Sequence, residues 1–336
     1  MSKVPISFIV DDAPINASYF MRKQMKDRGL PIATKGHFNE LLSRWEEMEG
    51  CKIIPNTFWK KFIKWALKEG VKGKFTFLPC PAGLGYINDK VEGYTKEELS
   101  ELIGLIKEEY TKNFDITPEI LTHSLAWDIK RGELLAITEH EWTYDKSEEV
   151  LTEYMAFALK ILKDVGIIAT GITQPCNFKG DENIYARAVL NAQKRINDIS
   201  TTYYFIHSDG DSLKVNSPIV ISNKDKDEFV VSIVSGSRAD EPFWETIYGD
   251  RGDVLKMADY YISKDGKSGR FIDLLSTDSP LIFHAHPQTL YSNGKELGFL
   301  SLMEVVNRVN KYLKHKVEWM SMSEFISTLI KREIYS

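Results

Sequence analysis

Two short segments carry the side chains best suited to chemistry in this chain of 336 residues. Near the N-terminus the apolar run Ile6-Ser7-Phe8-Ile9-Val10 stops at Asp11-Asp12-Ala13-Pro14. Near the other end, Ser279-Pro280-Leu281-Ile282-Phe283 stops at His284-Ala285-His286-Pro287. Both runs read as buried strands that end abruptly in titratable groups. The C-terminal ends of parallel strands form the mouth where ligands bind in barrels and doubly wound sheets. Two carboxylates and two imidazoles there can supply metal ligands, a general base and a general acid. Three further segments join them: His123 after Glu119-Ile120-Leu121-Thr122, Gln174 with Asn177, and His140 within Thr138-Glu139-His140-Glu141-Trp142. One Asp and two His around a cation leave positions open for water and substrate. His207 also ends a strand-like run, whereas His37 and His315 lie in polar surroundings and read as surface.

Such residues need a scaffold, and the hydropathy pattern supplies one. Strand-like runs at Ile6–Val10, Lys74–Leu78, Glu119–His123, Gly166–Gly171, Thr202–Ile206, Phe229–Val234, Pro280–Phe283 and Lys316–Met320 alternate with helix-like runs. Thr95 with Glu98 forms a capping box, and Ser147 caps a helix reaching Leu162. The stripe Phe58, Trp59, Phe62 and Trp65 has helical spacing and reads as core rather than as a sugar platform. About eight strands interleaved with helices imply a parallel sheet, most economically closed as a barrel. The expected fold is α/β: one (β/α) barrel spanning 1–336, with insertions around 16–55, 128–140 and 209–228.

Bulk properties narrow the function. The apolar fraction of 43% and charged fraction of 27% are those of a soluble globular protein. A net charge of −5 offers no basic face for nucleic acid. No run approaches the roughly 20 apolar residues that span a bilayer. Met1-Ser2-Lys3-Val4 leads at once into the first strand, so no signal peptide and a cytoplasmic protein are expected. Cys51, Cys80 and Cys176 are too scattered for a disulfide framework and read as reduced thiols.

The order of these segments resembles the polysaccharide deacetylase (NodB-like) superfamily, over most of the chain from Phe8 to Phe325. Phe8-Ile9-Val10-Asp11-Asp12 is similar to the family's first motif. The resemblance implies a distorted (β/α) barrel, with Asp11 as general base and Asp12 as a metal ligand. Glu119-Ile120-Leu121-Thr122-His123-Ser124 resembles the start of the second motif, His-Ser/Thr-x-x-His, which implies His123 as a ligand. The second histidine of that motif is replaced by Trp127, and His140, at the far end of the inserted segment, is the candidate to fold back as third ligand. Thr173-Gln174-Pro175-Cys176 corresponds to the third motif, Arg-x-Pro-Tyr, with Thr173 where the base-orienting arginine would stand. Leu281 to Pro287 resembles the last motif, Leu-x-His, which implies a general acid at His286, with His284 as the alternative.

The expectation is therefore a metal-dependent hydrolase that removes an acyl group from a carbohydrate or related amide or ester. Its partners would be a small-molecule or oligosaccharide substrate, with no nucleic acid and no membrane. Zinc is the first choice of cation, with nickel, cobalt or manganese as alternatives. Two other readings compete. One is a metal-independent glycoside hydrolase using Asp11 with Glu139 or Glu141. The other is a non-catalytic barrel that binds a sugar or a partner.

Overall fold

The computed structural model describes residues 3–32, 37–176, 178–208, 212–236 and 241–335. β1 (Val4–Val10) leads into α1 (Ala17–Asp27), α2 (His37–Ser43), a 3-10 segment and α3 (Asn56–Glu69). β2 (Gly73–Thr76), α4 (Lys96–Glu108) and β3 (Phe114–Thr117) follow. β4 (Leu125–Asp128) and β5 (Glu133–Thr138) form an antiparallel hairpin, which runs into the short α5 (Glu139–Thr143). Then come α6 (Glu148–Asp164), β6 (Gly171–Thr173), α7 (Glu182–Asn197), β7 (Thr201–Ser208), β8 (Ile219–Asn223) and β9 (Glu228–Ser235). The chain ends through α8 (Glu241–Tyr248), α9 (Asp253–Tyr261), α10 (Arg270–Leu275), β10 (Leu281–Ala285), α11 (Pro287–Tyr291), α12 (Leu297–Tyr312), β11 (Val317–Trp319) and α13 (Met322–Tyr335).

The molecule is mixed α/β, with parallel strands and helices. One sheet has the order β10-β1-β2-β3, with β11 also paired to β1, and every pairing in it is parallel. The other has the order β6-β7-β9-β8, parallel except for β8, which runs antiparallel to β9. Backbone hydrogen bonds cross between the sheets at two places. Thr170 donates to Ile116 O and Thr173 to Pro118 O; on the other side Gly236 donates to Ile282 O, at 3.1, 2.9 and 3.0 Å. No described helix is long and apolar enough to cross a membrane.

Two strands begin or end away from their expected places. Glu119–His123 is a loop, because the strand before it stops at Thr117. Pro118 has no N–H to continue the ladder, and Ile120 and His123 adopt φ of +38° and +50°. The apolar run at 166–171 contributes only its last residue to β6, since Ile168 is an exposed residue rather than a ladder member.

The aromatic stripe of α3 is core, as its spacing predicts. Phe62 lies within 6.4 Å of the rings of Phe8, Tyr110, Phe114 and Phe299, and burying such a side chain contributes about 1.5–3 kcal/mol. Gly73 permits the close approach of β2 to β1, since a Cβ there would meet the Phe8 carbonyl oxygen at 1.7 Å. The β1–β2 register puts Lys74 opposite Ile9, so the lysine shares a face with Ile9 and Asp11 while Phe75 points the other way. The β1–β10 register puts Val10 beside Ala285 and brings Asp11 and Asp12 to His286.

Candidate metal centre and its two carboxylates

β1 continues into the site by one more bond, from Asp11 N–H to Ala285 O at 3.1 Å. Asp11 Oδ1 accepts Lys74 Nζ at 2.7 Å and Thr76 Oγ1 at 2.9 Å. Lys74 has no solvent exposure, and its other protons go to Thr76 Oγ1 and Thr173 Oγ1 at 2.8 and 2.6 Å. An ammonium has three donors, and all three are used. Burial raises the pKa of Asp11, but the charge of Lys74, followed by those of His284 and His286, carries it down to about 2.

Asp12 turns away from the strand with φ of +60°. Its backbone N–H donates to Glu119 Oε2 at 3.1 Å, but its own two carboxylate oxygens are buried and accept no hydrogen bond among the described residues. Burial, helped by repulsion from Glu119 and opposed by His123, pushes its carboxyl up to about 8.

The loop after β3 supplies the rest of the cluster. Glu119 and His123 sit four residues apart on it, and His123 Nδ1 lies 2.6 Å from Glu119 Oε1 and 3.4 Å from Asp12 Oδ1. Burial disfavours the imidazolium of His123, yet the charges of Asp12 and Glu119 carry its pKa to about 9. Glu139, fully buried at the end of the β4–β5 hairpin, accepts the backbone N–H of His123 at 2.7 Å and that of Thr122 at 3.0 Å. Tyr154 OH completes its shell at 2.8 Å.

A divalent cation fits this arrangement. One ligand atom from each of Asp12, Glu119 and His123 lies within 4.8 Å of the others. Ligands about 2 Å from one ion stand roughly 3.3 Å apart in tetrahedral geometry, and His123 Nδ1 lies 3.4 Å from Asp12 Oδ1 and 2.6 Å from Glu119 Oε1. The donor set is two carboxylates and one imidazole, and the two orphaned oxygens of Asp12 have a desolvation cost that a cation would offset.

β10 persists through Ala285, so His284 and His286 share a face, with ring centres 5.8 Å apart. They have different neighbours. His284 Nδ1 lies 3.2 Å from Ser235 Oγ, and its ring meets Phe205 edge-on. His286 Nε2 lies 3.6 Å from Asp12 Oδ2, its ring is 5.3 Å from that of Trp244, and its side chain is 14% exposed. His286 is therefore the imidazole at the rim of the cluster.

The structure thus brings Asp11, Asp12, His123, His284 and His286 together. His140 is not among the three grouped donors. It lies on α5 with its ring beside Tyr144, and the third donor of the cluster is Glu119 instead. The hairpin does fold back to the site, but the side chain it delivers is Glu139. Trp127, where the motif has histidine, is held structurally, with its indole bonded to Tyr86 OH at 2.8 Å and its N–H to Tyr154 OH. Thr173 faces the site, and the cation at that point is Lys74 from β2. Glu139 is committed to amides and Glu141 to Thr138 Oγ1, so neither is placed as a second glycosidase carboxylate. Gln174 is buried and donates to Thr143 Oγ1 at 2.9 Å. His315 is exposed, while Asn177 and the side chains of His37 and His207 lie outside the described residues.

Lys74 and Glu119, and the place of Glu139 behind His123 rather than as a glycosidase carboxylate, are what the linear pattern does not reveal. Lys74-Phe75-Thr76-Phe77 carried the one available signal: a lysine and a threonine alternating with phenylalanine place polar groups on one face of a buried strand. Glu119 was hidden in an apparent strand. No protein-family model matches this sequence, and no curated protein is similar to it.

Proposed function

We propose that the chain is a metal-dependent hydrolase of the polysaccharide deacetylase type, removing an acyl group from a carbohydrate or a related amide or ester. The observation that carries this reading is the division of labour between adjacent carboxylates. Asp11 is paired with a buried lysine and Asp12 is left for a cation. A single distorted barrel is the architecture that best accommodates it. Hydrogen bonds between the sheets join β3 to β6 and the end of β9 to β10, and Ile9, Phe205, Val231, Ile233 and Ile282 of both sheets share one apolar cluster.

A zinc, nickel, cobalt or manganese ion held by Asp12, Glu119 and His123 would polarise the acyl carbonyl and acidify a water. Asp11, anchored through Oδ1, accepts the proton of the attacking water on its other oxygen. His286, at the rim of the cluster, protonates the leaving group. His284 adds positive charge beside Asp11 and is the alternative acid. The metal-independent glycosidase reading loses support because Glu139 is occupied by amides.

Elemental analysis of unsupplemented protein, paired with hydrolysis of a panel of acetylated sugars and simple esters, tests the proposal. About one divalent cation per chain and turnover that a chelator abolishes are expected. Metal-free protein that hydrolyses nothing after reloading sinks it in favour of a binding barrel, and chelator-resistant glycoside cleavage sinks it in favour of the glycosidase.

A further inference from the structure

We infer that Glu139 is the positioning residue of the proposed metal centre, clamping the loop that carries two of its three ligands. This rests on the reading of Asp12, Glu119 and His123 as metal ligands. The loop itself is costly. Ile120, which is β-branched, and His123 both have left-handed φ, a conformation such residues keep only where their surroundings hold them there. Three fastenings do so. Ile120 N–H is bonded to Thr173 O at 2.9 Å. Thr122 Oγ1 donates to Leu125 O at 2.8 Å and accepts Ser124 N–H at 3.2 Å.

The third fastening is Glu139, the one ionisable group among them. Both its oxygens lie within 3.1 Å of Thr122 N, and Oε2 also takes the N–H of His123 itself at 2.7 Å. The carboxylate is brought there by backbone, because Glu139 N–H donates to Ser124 O at 2.8 Å, one residue past His123. The register of the β4–β5 hairpin, with Leu125 opposite Thr138, places Glu139 beside the loop it bonds. Tyr154 OH on α6 holds Oε1 from behind.

A carboxylate that accepts two adjacent amides fixes the peptide plane from which the His123 side chain springs, and so fixes where Nδ1 stands relative to Glu119 and Asp12. Groups that orient ligands in this way contribute to affinity without touching the ion. The inserted segment 128–140 therefore acts on the site through Glu139, its next-to-last residue. It supplies support in place of a ligand.

The test is metal affinity, read by chelator competition with Zn2+ and Mn2+, alongside melting of the metal-free protein. Glu139→Ala should weaken both cations by roughly 10- to 100-fold. Glu139→Gln should fall between, since an amide keeps one acceptor but turns its NH2 toward the backbone donors. Tyr154→Phe, which removes the phenol bond to Oε1 together with the bond the phenol accepts from Trp127 N–H, should weaken affinity less and covers the case of an alanine variant that does not fold. Wild-type affinity in a folded Glu139→Ala, or in Tyr154→Phe and Glu139→Gln together, overturns the clamp and leaves the metal centre standing. A wild-type protein that binds neither cation overturns both.

Discussion

Asp11 and Asp12 are adjacent in the chain, equally buried, and opposite in electrostatic character. Around Asp11 the fold supplies its own cation: Lys74 and Thr76 converge on Oδ1, and the carboxyl titrates near 2. Around Asp12 burial, with the Glu119 charge, outweighs the attraction of His123, neither oxygen accepts a hydrogen bond among the described residues, and the carboxyl rises to about 8. A buried charge is tolerated when it is paired and is expensive when it is not. The contrast is local in origin. Asp11 still belongs to β1, so it faces Lys74 on the neighbouring strand, whereas the +60° φ of Asp12 aims it at the loop after β3. Pairs of titratable groups whose surroundings drive their pKa values apart are where acid–base and ligand roles separate.

The sharpest way to break this comparison is to exchange the two fates. Asp12→Ala should abolish retention of the divalent cation, and Glu119→Ala should do the same, as read by elemental analysis after gel filtration. Asp11→Asn should keep the cation and lower hydrolysis of an acetylated substrate by about 10²- to 10⁴-fold, the usual range for a general base. An Asp11→Asn protein that loses its metal would erase the distinction between the two carboxylates.

The paired half can be tested by stability alone. Lys74→Met leaves Asp11 charged and uncompensated in the interior, which costs about 3–5 kcal/mol when one partner of a buried pair is removed. Adding Asp11→Asn to Lys74→Met should recover much of that loss in urea unfolding. If the two effects simply add, the ion pair is not what holds this corner together.

Part of the cluster is legible in the sequence. Asp11, Asp12 and His286 stand where the apolar runs of β1 and β10 end, and strand ends point at the mouth of a parallel sheet, whereas His123 lies on the loop after β3. The core stripe of α3 and the capping box of Thr95 and Glu98 were legible because helical spacing and caps are local properties. Lys74 was not, since nothing in Lys-Phe-Thr-Phe says that the ammonium will meet a carboxylate 63 positions away. Glu119 failed for another reason. Pro118 ends the strand and turns the chain, so an alternating pattern that looked like β-structure became a loop with two ligand donors at its ends. His140 shows the limit of arguing from an insertion: the hairpin returns to the site as expected, one residue out of register, and presents Glu139.

A smaller effect should separate the two histidines, which follow the same division. His286 stands at the Asp12 side and His284 at the Asp11 side. His286→Ala should reduce turnover by roughly 100-fold, a typical general-acid contribution, while metal content stays near wild type. Loss of the cation together with activity would make His286 a fourth ligand, and undiminished turnover would move the acid role to His284.

The mildest expected effect is on pH and needs no substrate. In the metal-free protein the folded-state pKa values of Asp12 and His123 are raised, to about 8 and about 9, from ordinary values of 3.8 and 6.5. Both groups therefore bind more protons folded than unfolded across the intervening range, so stability falls as pH rises through it. Asp12 contributes that slope from about pH 4 to 8, and His123 from about 6.5 to 9. Asp11 has the opposite sign, but its window lies below its unfolded pKa and does not overlap. Chelated protein should thus melt at a lower temperature at pH 9 than at pH 6.5. Saturating zinc, which requires deprotonated ligands and binds better as pH rises, should flatten or invert the trend. Asp12→Asn removes the Asp12 contribution, so its chelated form should lose less melting temperature between pH 5 and 7 than chelated wild type, the remaining fall coming from Glu139, which burial raises to about 7. A chelated wild-type protein equally stable at pH 6.5 and 9 would mean that Asp12 has a donor after all, and that the two carboxylates are less different than their surroundings indicate.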